Sequence, residues 1–122
     1  MKMPVVNTKL VLWIIVVTVV VSFVATRIKV ALLERAITNG NVAAVKIIIK
    51  YDKRLLNIRF SSELTPLSLA CRDKEEDIVN FLIQHGADVD KGGPRASPLY
   101  VAVRNKHVSI AKKLIDAMLE QM

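Results

Sequence analysis

Cysteine occurs once in the 122 residues, glycine and proline four times each, and aromatic side chains make up only 5%. A lone thiol, Cys71, excludes an intrachain disulfide framework and any zinc site built on several thiolates. Four scattered glycines leave no loop from which a phosphate cradle could be assembled. Neither proline nor glycine falls between Pro4 and Gly40, so nothing in the first third of the chain punctuates a helix. The chain is instead rich in apolar and basic residues, with 52% hydrophobic content and a formal charge of +7. That content excludes a disordered chain. After position 26 there are 16 basic and 11 acidic residues, a net +5. An excess of that size suits an acidic protein or anionic lipid and is a weak sign of nucleic-acid binding.

Leu10 to Ala25 is apolar at 14 of 16 positions, Thr18 and Ser22 being the exceptions, and carries no charge, proline or glycine. As a helix it would run about 24 Å, the short end of what a bilayer core requires. Both hydroxyls can bond to carbonyls one turn earlier. Trp13 suits an interfacial position, and Lys9, Arg27 and Lys29 flank the segment where long cations can snorkel. Three readings compete: a retained single-pass anchor, a cleaved signal peptide and a buried core helix. Bulky Phe23 spoils the small-residue pattern a cleavage after Ala25 needs, so the anchor is favoured. Residues 10–26 are then expected in the bilayer, with Leu10, Trp13, Val17, Val21 and Ala25 along the span. Orientation is a near tie, because Lys2 and Lys9 precede the segment while Arg27, Lys29 and Arg35 follow it.

Beyond it the chain repeats. Thr65-Pro66-Leu67-Ser68-Leu69-Ala70 returns 32 residues later as Ser97-Pro98-Leu99-Tyr100-Val101-Ala102, and a weaker copy, Ala31 to Ala36, lies 34 residues earlier. Each copy is followed by a second apolar stretch. A period near 33 means stacked units that bury their faces against one another. Thr65 and Ser97 can cap a helix whose first position is proline, and Gly86 can end one in a left-handed conformation.

With Thr65-Pro66-Leu67, Ala70, Ile78-Val79, Leu82 and His85-Gly86-Ala87-Asp88 in place, the chain resembles the ankyrin-repeat family over about three quarters of its length. The resemblance implies an all-α solenoid of about three helix-turn-helix repeats, here preceded by a single N-terminal transmembrane helix. The expected organisation is a hydrophobic segment at 1–29 and a repeat domain at 30–122, divided near 31–64, 65–96 and 97–122. Gly40-Asn41 makes a good turn within the first repeat, whereas Lys74 and Lys106 at matching places predict looser turns. The first copy has Ala31-Leu32 where the others have a cap and a proline. The membrane helix is therefore expected to run directly into the first repeat helix, needing no cap there.

Chemistry is sparse. Cys71 has no histidine near it in sequence, His85 and His107 fall at helix ends where local hydrogen bonds are expected, and Asp73, Glu75, Glu76 and Asp77 read as a solvated helix start. No enzyme activity, cofactor, metal, nucleic acid or small-molecule substrate is expected. A recognition surface remains. Counting along the repeats, Arg35, Leu69 and Val101 share one outward position, Thr38, Arg72 and Arg104 a second, and Asn39, Asp73 and Asn105 a third. Loop tips are expected at Ser61-Ser62-Glu63 and Gly92-Gly93-Pro94-Arg95. Arg35, Arg72, Asp73, Arg95, Arg104 and Asn105 are the candidate partner-binding residues, with arginine forks suited to carboxylates. The last helix is expected to present a polar outer side through Lys112, Lys113, Asp116 and Glu120. Together these features predict a membrane-tethered module that holds or blocks another protein. The alternatives are a dedicated inhibitor or immunity protein, a secreted binding module, and a subunit packed against other membrane helices.

Overall fold

A computed structural model describes residues 7–122. Lys2 and Pro4, used above in the charge comparison and as the limit of the unpunctuated stretch, lie outside the described residues. The described chain is helical: α1 Thr8–Thr38, α2 Val42–Tyr51, a 3-10 helix Lys53–Asn57, α3 Pro66–Arg72, α4 Glu76–Gln84, α5 Pro98–Arg104 and α6 Val108–Glu120. No strand occurs among the described residues.

α1 is one unbroken helix of 31 residues, about 46 Å long. Asn7 starts it, its side chain accepting from the Lys9 amide at 3.1 Å. The helix passes through Arg27 to Val30 without interruption, as the lack of proline and glycine there predicts. Upstream carbonyls replace the cap that Ala31 cannot supply. Its two ends live in different surroundings. From Leu12 to Lys29 every side chain is exposed, whereas Leu33, Ala36 and Ile37 near the other end are buried. The exposed part is long and apolar enough to cross a membrane, with a mean hydropathy of 2.4. Thr18 Oγ1 donates to the Ile14 carbonyl at 2.7 Å as expected, whereas at Ser22 it is the carbonyl that takes part, accepting from Thr26 Oγ1 at 2.9 Å.

The last turns of α1, then α3 and α5, form one layer, and α2, α4 and α6 form the second. Buried Leu33, Ile37, Leu67, Leu69, Ile78, Leu82, Ile110 and Leu114 fill the space between them. Ala36, Ala70 and Ala102, all buried, keep neighbouring helices close. Thr65 Oγ1 and Ser97 Oγ accept from the amides three residues on, at 3.2 and 3.3 Å, and the prolines that follow have no amide to leave unpaired.

The turn between the helices of each repeat has the same form. Gly40, Lys74 and Lys106 sit at φ of 67, 57 and 60°. The next residue's amide returns to Ala36, Ala70 and Ala102 at 2.9, 3.0 and 2.9 Å respectively. These are the paired bonds that close a helix on a left-handed residue. The companion bond, from the left-handed residue's own amide, is 3.0 Å at Gly40 and Lys106 but 3.4 Å at Lys74, so the looser turn expected from the sequence is found at Lys74 and not at Lys106. The returning amides of Glu75 and His107 hold both exposed lysines in the conformation that glycine adopts freely.

Repeat 1 ends differently from repeat 2. In place of glycine-alanine it has Asp52, 8% exposed, whose carboxylate accepts from the Arg54 amide at 3.2 Å and from its guanidinium at 3.0 and 3.1 Å. Lys29 Nζ, on α1, lies 3.8 Å from the same carboxylate. The Arg54 hydrogen bond holds the Asp52 carboxyl below its ordinary pKa.

The far end of the stack departs from expectation too. Lys112, Asp116 and Glu120 are exposed, but so are Val103, Val108, Ile115 and Leu119. Val103 occupies the place of Ile37 and Cys71, which are buried because a further repeat covers them. Nothing covers the third repeat on that side among the described residues.

Candidate partner-binding face

α3 and α5 end side by side, and each puts an arginine in its last turn and a polar residue at its C-cap. Thr38, Arg72 and Arg104 are all exposed, so this row stands open to solvent. Beside it Asn39 and Asn105 are exposed and Asp73 is half-buried. Arg72 Nε donates to Asp73 Oδ1 at 3.0 Å, which orients the guanidinium. Asn105 Nδ2 donates to the Val101 carbonyl at 2.7 Å, and Thr38 Oγ1 reaches the carbonyls of Glu34 and Arg35, each at 3.0 Å.

The expected row of Arg35, Leu69 and Val101 is not an outward row. Arg35 is exposed, but Leu69 and Val101 are 1% and 5% exposed. α3 is flanked by α1 and α5, and Leu69 is enclosed between them. Arg95 also stands apart. It precedes α5 while Arg104 ends it, a separation of about 10 Å along the helix. Instead Arg95 lines a cleft of about 490 Å³ between the two loop tips, with Arg59, Ser62, Glu63 and Pro94. Arg59 Nη1 lies 3.9 Å from Glu63 Oε2 across one of these tips. The candidate surface thus has two parts, an arginine row at one end of the inner helices and a loop-tip cleft at the other.

Other singled-out residues are taken up by the fold. Burial pushes the Cys71 thiol up to about 12, so it stays protonated and is a poor nucleophile. His85 Nδ1 lies 2.9 Å from the Phe81 carbonyl, as local bonding predicts. His107 departs from that expectation, since its Nε2 lies 3.2 Å from the Arg72 carbonyl of the preceding repeat. Glu76 accepts from Ser109 of the following repeat, and this bond holds its carboxyl pKa below the usual value. The acidic run is thus partly structural. Among the described residues no group of three His, Cys, Asp or Glu side chains is placed to hold a metal.

Sequence reasoning missed the bonds between repeats. Ser68 Oγ donates to the Ala96 carbonyl at 2.6 Å, and Asn57 Oδ1 accepts from the Asp88 amide at 2.8 Å. No recurrence marks them, since Ser68 stands where the other copies have Glu34 and Tyr100.

Paired helices, matching turns and cross-repeat bonds define a helical repeat scaffold, a class that works by binding other proteins. The model of ankyrin repeats in three copies matches residues 32–121, and the chain belongs to the ankyrin-repeat family. Protein phosphatase 1 regulatory subunit 27, from Homo sapiens and from Mus musculus, is 40% identical over 60 residues, 49% of this chain and 38% of the relative. Ankyrin repeat and SOCS box protein 9 of Homo sapiens is 38% identical over 52 residues, 43% of this chain and 18% of the relative. The chain therefore spans well under half the length of these curated relatives. Family membership makes the repeats a protein-protein interaction module.

Proposed function

We propose that this chain is a non-catalytic binding module tethered to a membrane by α1, and that it captures a partner protein on the surface around Arg72 and Arg104. The observation that carries the reading is the continuity of α1: an exposed apolar stretch passes without a break into the buried helix of repeat 1. Such a joint mounts the repeats at a fixed angle to the bilayer, whereas a flexible linker would let them swing. Leu10, Trp13, Val17, Val21 and Ala25 are all exposed on this helix, as a lipid-facing segment requires. The partner has a carboxylate-bearing surface, because the exposed row offers arginine forks.

A second reading, that capture serves to regulate or inhibit an enzyme, is favoured by the name of one relative, a phosphatase regulatory subunit. Both readings predict that cross-linking in native membranes recovers a protein partner; an enzyme whose activity changes on capture selects the second. A secreted module is the contrary case, and an intact mass matching a chain that starts at Thr26 identifies it. Combined Arg72→Glu and Arg104→Glu replacement is expected to abolish capture with the helical spectrum unchanged. Capture that survives both charge reversals would remove this face from the account.

A further inference from the structure

Counted along the chain, the charges flanking the apolar segment nearly tie; counted in space they do not. α2 runs back alongside the end of α1, and its ten residues return it about 15 Å. The contact between Lys29 and Asp52 marks where it arrives, level with the end of the apolar stretch. Lys50, Lys53 and Arg54 are therefore carried to the same level as Arg27 and Lys29. All five are exposed, and Tyr51 stands among them at 84% exposure. The carboxylate within this group is Asp52, already engaged by Arg54 and Lys29. Of the other acidic groups toward this side, Glu63 faces Arg59, and the exposed Asp88 and Asp90 lie in the next loop, which the Asp88 amide ties to Asn57, with Lys91 and Arg95 in that same loop.

We propose that this basic collar binds an anionic bilayer leaflet, so that the first repeat sits on the lipid head groups. The proposal rests on the membrane tether argued above and adds a lipid class and an orientation to it. Lys46, Lys50 and Lys53 line a cleft of about 400 Å³ together with Ile49, Leu56, Phe81 and His85, so these cations border an apolar surface, as at a lipid interface. Tyr51, with an apolar ring and a polar tip, suits the same depth. Anionic lipid is concentrated in the cytoplasmic leaflet, so the collar orients the repeats toward the cytoplasm.

The test uses the full chain in bilayer discs of phosphatidylcholine alone or with added phosphatidylserine, and measures the rate of tryptic cleavage after Lys50, Lys53 and Arg54. Phosphatidylserine is expected to slow these cleavages about fivefold for each cation engaged. Salt at about 0.5 M should restore them. Cleavage after Arg104 and Lys106, at the other end of the repeats, should not change. The pair Lys50→Gln and Lys53→Gln should restore cleavage after Arg54 in phosphatidylserine discs. Equal rates in both lipids, with the chain inserted, would overturn the collar and leave the tether standing. A chain that does not insert at all, and that alkali strips from native membranes, would overturn both.

Discussion

At the residue scale the sequence signals of greatest weight were those with a local cause. Thr65-Pro66 and Ser97-Pro98 start helices because a side-chain oxygen and a missing amide solve the same problem at adjacent positions. Lys74 and Lys106 keep the left-handed turn although their residue type disfavours it, because the amides of Glu75 and His107 bond back to Ala70 and Ala102. Each bears about 1 kcal/mol of conformational strain. Lys74→Gly and Lys106→Gly should each raise stability by roughly that amount in urea unfolding, less the greater freedom glycine has when unfolded. A loss of about 0.5–1 kcal/mol at both sites, the full entropic cost of glycine, would mean that the turns are unstrained. Cys71 gives a pH signature. Its folded pKa of about 12 exceeds that of the unfolded thiol, so above about pH 9 the unfolded chain releases a proton that the folded chain keeps. Stability is then full below that pH and falls by about 1.4 kcal/mol per unit between the two values. Under reducing conditions, Cys71→Ala should lack this slope while sharing the rest of the pH profile. An identical alkaline slope in both proteins would contradict the burial of the thiol.

At the element scale, helix existence was legible because repeats copy both their apolar positions and their punctuation. The 3-10 helix after α2 was not, since Asp52 organises it with Arg54 and with Lys29, which is distant in the chain. Leu69 and Val101 were misread for a related reason. Counting within one helix shows which positions match, but only the neighbouring helices decide whether a position faces solvent. The bonds between repeats belong to this scale. Ser68 is fully buried, donates to the Ala96 carbonyl and meets Thr65 Oγ1 at 3.0 Å. Ser68→Ala leaves that carbonyl without its partner and should cost about 1–3 kcal/mol. Chemical unfolding measures the loss; a cost below about 0.5 kcal/mol would mean the bond does not tie repeat 2 to repeat 3.

For the whole molecule, three repeats make a small stack in which each unit needs its neighbour, and α1 joins that stack to a segment suited to lipid. A continuous helix was expected from the absence of proline and glycine, and it is the feature on which the proposed function most depends. The candidate face was legible only in part. Arg72 and Arg104 emerge as matching exposed residues, whereas Arg95 lies at the other end of the inner helices in its own cleft. Amide exchange across Ser22 to Leu33, measured on the full chain in bilayer discs, tests the rigid mount most directly. Uninterrupted slow exchange through Arg27, Ile28, Lys29 and Val30 is the predicted result. A fast-exchanging stretch at those four residues, between a protected span and a protected first repeat, would contradict it.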